Sequence, residues 1–129
     1  MPLAAAFKVM IVDDQFSVRQ ITRNTLEQLG IRHIFEAEQG KEALEKVTLQ
    51  PVDLIISDYN MPEMDGMALL LAVRGNPAVR KIPFILLTGR GDRELVVKAA
   101  QAGVNNYLVK PFTTEIMRQK IEQVVGKLS

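Results

Sequence analysis

Hydrophobic residues along this chain gather in short runs. Four of the runs contain no polar residue and are bounded by charged residues or turn formers; they cover residues 9–12, 54–56, 84–87 and 107–109. Uninterrupted runs of this length are typical of strands buried on both faces, as in a parallel sheet. A weaker fifth run at 33–37 predicts a strand nearer the edge of the sheet.

Apolar residues at helical spacing occupy the segments between the runs. The clearest stripe repeats at i, i+4, i+7, i+8 and i+11, and consists of Met117, Ile121, Val124, Val125 and Leu128. Further helices are predicted over residues 41–48, 67–74 and 93–102.

The first helix is predicted from its boundaries. Residues 17–20 read as a capping box that opens it, and Gly30 is expected to end it. Its inward face would then carry Ile21, Thr25 and Leu29.

Strand and helix therefore alternate five times. This order predicts an α/β fold, a doubly wound parallel sheet with helices on both faces, joined by right-handed crossovers. In such sheets, ligands bind beyond the carboxyl ends of the strands. We expect one domain over residues 1–129, with a short N-terminal tail at 1–6.

Composition narrows the possible functions. The 129 residues are 47% hydrophobic, enough for one core, and the 16 basic and 15 acidic residues nearly cancel. No stretch approaches the roughly 20 apolar residues of a membrane helix, and without cysteine there is neither a disulfide nor a thiolate metal site. We expect a cytoplasmic monomer that binds neither nucleic acid nor membrane.

Acidic residues follow two of the predicted strands. Asp13 and Asp14 come directly after the first strand, and Asp58 comes just after the third. Carboxylates brought to one sheet edge repel one another unless a cation compensates, and Mg²⁺ accepts a few oxygen ligands while retaining waters. The sequence therefore predicts a magnesium site that can receive a phosphoryl oxygen.

Two further side chains are expected at the same edge. Lys110 follows the last strand and could neutralise a phosphoryl oxygen, and Thr88 ends the fourth strand and could donate its hydroxyl to the same group. Each of these residues, taken alone, has an ordinary explanation as a solvated loop acid, a surface lysine or a strand threonine. Their joint position just past successive core strands favours a functional site.

With these residues assembled, the chain resembles the receiver domains of response regulators, most closely the stand-alone chemotaxis regulators of the CheY type. The resemblance runs from about residue 8 to residue 128. It is carried by the motifs at residues 12–14, 57–66, 87–89, 102–103 and 110–112. It implies the flavodoxin-like strand order 2-1-3-4-5, and a signalling protein rather than an enzyme that turns over an external substrate.

The resemblance also implies a role for each site residue. Asp58 would be the phospho-acceptor, and Asp14, Asp58 and the backbone carbonyl of Asn60 would bind Mg²⁺, for which Mn²⁺ could substitute. Asp13 would hold a metal-bound water. Lys110 would contact the phosphoryl group and precede a cis bond to Pro111.

Thr88 and Tyr107 would be the switch residues implied by the resemblance. They would transmit phosphorylation to the face formed by the fourth helix, the fifth strand and the fifth helix. The implied partners are a histidine kinase, a downstream protein that binds this face, and a phosphatase as a further candidate.

Three positions depart from the family pattern. Gly89 stands where the family mostly has alanine, Gln15 differs from the closest chemotaxis members, and Arg90 occupies a position that, like Asn60, varies and tunes the lifetime of the phosphoryl group.

Several alternatives stay open at this point. Within the receiver family, the chain could be a chemotaxis output, a relay intermediate that passes the phosphoryl group to a second histidine, or a fragment of a longer regulator. Outside it, an aspartyl-nucleophile phosphatase would need a second acid after the nucleophile, where this chain has Asn60. A flavodoxin-like cofactor module would need a Ser/Thr/Gly-rich cradle where this chain has Asp13 and Asp14.

Overall fold

The computed structural model describes residues 3–89 and 93–129. Within these ranges, five strands alternate with five α-helices. The strands are β1 (Lys8–Val12), β2 (His33–Ala37), β3 (Leu54–Asp58), β4 (Phe84–Thr88) and β5 (Asn106–Val109). The helices are α1 (Phe16–Gln28), α2 (Gly40–Leu49), α3 (Gly66–Arg74), α4 (Arg93–Gln101) and α5 (Thr114–Val125).

All neighbouring strands pair in parallel, in the order β2-β1-β3-β4-β5. The registers bring the carboxyl ends of the strands to one edge, since Val12 pairs with Ser57 and Asp58 pairs with Leu87. The predicted α/β fold and strand order are confirmed.

Two apolar layers sandwich the sheet. On one face, side chains of α2, α3 and α4 pack against alternate residues such as Met10 and Ile55, and on the other face α1 and α5 cover Ile11 and Ile56. Because the side chains of a strand alternate between faces, the central runs are apolar at every position. The five residues of β3 and of β4 are all buried.

The prediction for the first helix was wrong in its start and in one of its three inward residues, since Thr25 and Leu29 are buried as predicted but Ile21 is not. The helix begins at Phe16, so Ser17 lies inside its first turn, and Ile21 is exposed while Thr22 and Leu26 are buried. Thr22 can be buried because its hydroxyl donates to the carbonyl of Val18 at 3.1 Å. Hydrophobicity alone therefore marked the wrong residue.

The first described residues contact the last residue of the chain. The segment expected as a tail forms a 3-10 turn at Ala4–Ala6, in which Ala4 is buried and its amide donates to the carbonyl of Ser129 at 3.0 Å.

The run at 107–109, predicted to be buried on both faces, lies in the edge strand β5, where Val109 is exposed. None of the helices in the described ranges is both long enough and apolar enough to cross a bilayer.

Candidate functional site

Three carboxylates meet at the carboxyl edge of the sheet. Asp13 and Asp14 follow β1, Asp58 is the last residue of β3, and one carboxylate oxygen from each lies within 4.8 Å of the others. Asp13 and Asp58 are buried, whereas Asp14 is exposed. This cluster, the acidic pocket, is therefore open to solvent on the Asp14 side.

Asp13 is a buried carboxyl whose pKa is raised by its surroundings. Burial raises the pKa of its carboxyl to about 6, and the charges of Asp58 and Asp14 act in the same direction, while a hydrogen bond from the Gln15 amide and the charge of Lys110 lower the pKa. Its Oδ1 accepts from the Gln15 amide at 2.9 Å, but its buried Oδ2 has no hydrogen-bond partner among residues 3–89 and 93–129.

An unpaired, buried carboxylate oxygen is costly unless something charged or polar reaches it. Because two more carboxylates stand within ligand distance of each other here, a hard divalent cation, carrying its own water, fits the donors that the pocket offers.

Lys110 supplies a cation from the protein itself. Its ammonium lies 2.8 Å from Asp58 Oδ1, and its backbone amide donates to the carbonyl of Thr88 at 2.8 Å. The Lys110-Pro111 bond is cis. Lys110 is therefore fixed to β4 by its backbone, and its side chain pairs with Asp58.

The other predicted site residues differ in their exposure to solvent. Thr88 is buried at the end of β4, beside Lys110. Asn60 is exposed, two residues beyond β3. Tyr107 is half-buried on β5, with the ammonium of Lys120 4.6 Å from its ring centroid. Arg90, singled out in the sequence, lies outside the described residues.

The loop after Asp58 depends on a glycine whose role the sequence did not reveal. The Gly66 amide donates to the carbonyl of Tyr59 at 2.9 Å, and a Cβ at this position would collide with the carbonyl oxygen of Asp58 and lie 2.7 Å from Leu86 Cδ1. Asp65 caps the following helix by accepting from the Ala68 amide at 2.8 Å. In the sequence, this glycine ends the motif at residues 57–66 and follows an aspartate, a pair that is typical of an ordinary turn.

A parallel α/β sheet that presents three carboxylates and a lysine at its carboxyl edge defines the class of protein: a doubly wound domain whose site suits a divalent cation and a phosphoryl group. The family model described as "response regulator receiver domain" matches residues 9–122. The chain belongs to this family.

Individual relatives agree with the family. The chain is 50% identical over 128 residues to a probable chemotaxis protein CheY of Rhizobium etli, covering 99% of each chain. It is 36% identical to the chemotaxis protein CheY4 of Vibrio cholerae, with a TM-score of 0.85 and coverage of 92% and 98% of the two chains. These similarities place it among the CheY-like receiver domains of two-component response regulators.

A third relative bears on the metal. The receiver domain of a sensor histidine kinase from Pseudomonas aeruginosa is 28% identical to this chain, with a TM-score of 0.82 and coverage of 94% of this chain and 98% of the other. Its structure has a magnesium ion coordinated in the active site cleft.

Proposed function

We propose that this protein is a phospho-accepting switch, in which Asp58 receives a phosphoryl group with the help of bound Mg²⁺. The observation that carries the proposal is the setting of Asp58: its carboxylate is buried, paired with Lys110 at 2.8 Å, and grouped with Asp13 and Asp14. A pocket that combines acids with a lysine can hold a cation and a phosphoryl group together.

The donor set fits a magnesium ion. Asp14, Asp58 and the backbone carbonyl of Asn60 would bind it directly, and the unpaired Asp13 Oδ2 would accept from a water in its shell. Mn²⁺ is expected to substitute. The bound ion would offset the negative charge of the carboxylates and of the incoming phosphoryl oxygens.

Phosphoryl transfer would proceed on the side chain of Asp58. One of its carboxylate oxygens forms a bond to phosphorus, and the bond from phosphorus to the imidazole nitrogen of the kinase histidine breaks, leaving that nitrogen with the electron pair. The product is an aspartyl phosphate. Lys110 pairs with Asp58 in the unphosphorylated protein and would pair with a phosphoryl oxygen after transfer.

The proposed readout lies on the face formed by α4, β5 and α5. Thr88 would donate its hydroxyl to the phosphoryl group, and Tyr107 would repack in response. Among the described residues, these elements carry three exposed large apolar side chains that a protein partner could cover, namely Val97, Val109 and Ile116. The similarity to chemotaxis proteins supports a downstream partner in chemotaxis, with a histidine kinase as the phosphoryl source.

The test is labelling by a small acyl phosphate in the presence of Mg²⁺. The wild type should form one acid-stable, base-labile adduct that maps to Asp58, and Asp58→Asn should form none while keeping the circular dichroism spectrum of the wild type. Asp53→Asn is the matched control, since Asp53 precedes β3 at the opposite end of the same strand and should not affect labelling. Labelling of Asp58→Asn at the wild-type rate and stoichiometry would contradict the proposal.

A further inference from the structure

Arg19 is a buried cation that hydrophobic patterning did not identify. Its side chain is only 8% exposed, because it lies on the face of α1 that packs against the sheet. A buried guanidinium is tolerated only when its donors are satisfied. Each of its three nitrogens has an acceptor, and the acceptors belong to three different residues: Asp13, Glu36 and Glu38.

The shortest of these bonds reaches the acidic pocket. Nη1 donates to the backbone carbonyl of Asp13 at 2.7 Å, and Nε donates to Glu36 Oε1 at 3.0 Å, whereas the contact of Nη2 with Glu38 is 3.5 Å and Glu38 is exposed. Glu36 lies on β2, next to β1. Arg19 therefore ties the peptide that follows β1 to a fixed carboxylate on the neighbouring strand.

The peptide that Arg19 holds is the one that joins Asp13 to Asp14. Its orientation decides where the chain turns after β1. The Asp13 amide donates to the carbonyl of Ala37 at 3.1 Å, so with Arg19 on the carbonyl both backbone groups of Asp13 are anchored. Without a bound metal ion, repulsion among the three carboxylates favours turning this peptide away from Asp58. A hydrogen bond from a buried guanidinium opposes that rotation.

We propose that Arg19 is a positioning residue for the metal site, holding the Asp13–Asp14 peptide so that both carboxylates face Asp58. This inference rests on the proposed function, because it assigns Arg19 a role in Mg²⁺ binding. Groups that orient metal ligands from outside the coordination sphere typically change metal affinity by 10- to 100-fold when they are removed. We expect a value near the lower limit, because Arg19 acts on the backbone.

Arg23 provides a matched control on the same helix. Its Nε donates to the other oxygen of Glu36 at 2.7 Å, and its Nη2 donates to the carbonyl of Ile34 at 2.9 Å. Loss of either arginine removes one ion pair to Glu36 and one bond to a backbone carbonyl, and loss of Arg19 also removes the 3.5 Å contact with exposed Glu38. The difference is that Arg19 bonds to the acidic pocket and Arg23 bonds to β2.

The experiment measures the Mg²⁺ dissociation constant by calorimetry and the urea-induced unfolding of the metal-free proteins. Arg19→Met should raise the dissociation constant about tenfold, and Arg23→Met should leave it within about twofold of the wild type, although both variants should unfold at lower urea concentration. Arg19→Lys keeps the charge but replaces the planar fork with a single ammonium, which cannot satisfy Glu36 and the Asp13 carbonyl in the same geometry. It should therefore weaken Mg²⁺ binding about threefold or more. Arg19→Lys is the variant that tests the proposal if Arg19→Met does not fold.

The outcomes separate the two proposals. A wild-type affinity for Mg²⁺ in either Arg19 variant, or an equal loss in Arg23→Met, would overturn the positioning role and leave the proposed function standing. A wild-type protein that bound no Mg²⁺ would overturn both.

Discussion

The ammonium of Lys110 and the carboxylate of Asp58 form an ion pair of 2.8 Å at the floor of the acidic pocket. The proposed nucleophile is thus already paired with a cation that belongs to the protein. This cation offsets part of the negative charge that would attract a metal, and it occupies the position from which an incoming phosphoryl oxygen could be neutralised.

The first prediction concerns Lys110→Met. Removing the ammonium leaves a more negative pocket, so Mg²⁺ should bind more tightly, by about threefold. Phosphorylation of Asp58 should nevertheless slow by at least about tenfold, because charge on the transferring group loses its partner. Calorimetry with Mg²⁺ and the rate of labelling by a small acyl phosphate check the two effects. Lys81→Met, at an exposed lysine before β4, should change neither; weaker Mg²⁺ binding by Lys110→Met would contradict the argument.

The second prediction concerns the pH dependence of stability. Because burial raises the pKa of Asp13 from 3.8 to about 6, the folded protein binds more protons than the unfolded chain between these values. The contribution of Asp13 to the free energy of unfolding is therefore most favourable at low pH and declines as the pH rises through about 6. Above that window the buried charge destabilises the metal-free fold.

Asp13→Asn should remove this penalty while retaining an oxygen that can accept from the Gln15 amide. In the absence of metal, the variant should be more stable than the wild type at pH 8 by about 2 kcal/mol, and the gain should nearly vanish at pH 4. Urea unfolding of both proteins at the two pH values measures the difference in their free energies of unfolding. Titrating groups that the two proteins share contribute to both values and largely cancel in this difference. An equal gain at pH 4 and pH 8 would show that the effect does not come from ionisation.

The third prediction compares two glycines near the site. Gly66→Ala places a methyl group against the Asp58 carbonyl and 2.7 Å from Leu86 Cδ1, so it should lower the free energy of unfolding by about 2 kcal/mol and weaken Mg²⁺ binding by displacing Asp58. At Gly89, a Cβ would meet no heavy atom of the described residues within 4 Å.

Gly89→Ala should therefore change the free energy of unfolding by less than about 0.5 kcal/mol, even though glycine departs from the family pattern there. Thermal unfolding of the two variants beside the wild type is sufficient to compare them. A loss in Gly89→Ala as large as that in Gly66→Ala would mean that local backbone freedom, rather than steric contact, dominates at this edge.

Local patterning in the sequence determined the architecture. Runs such as 54–56 and 84–87 are apolar at every position because both faces of a central parallel strand are covered. The need to bury both faces is therefore visible in consecutive residues of the sequence. The placement of Asp13, Asp14, Asp58 and Lys110 at one edge followed from strand alternation and parallel pairing alone.

Only the tertiary structure decided which polar residues are buried and what they contact. Patterning put Ile21 on the inward face of α1, whereas Arg19 and Thr22 are buried there because acceptors from β2, the β1 turn and the helix itself satisfy them. The raised pKa of Asp13 and the steric need for Gly66 likewise come from atoms brought in by other strands. The burial preference of an apolar side chain is a property of that residue, but a polar side chain is buried only where distant partners pair with it, and their positions are fixed by the assembled fold.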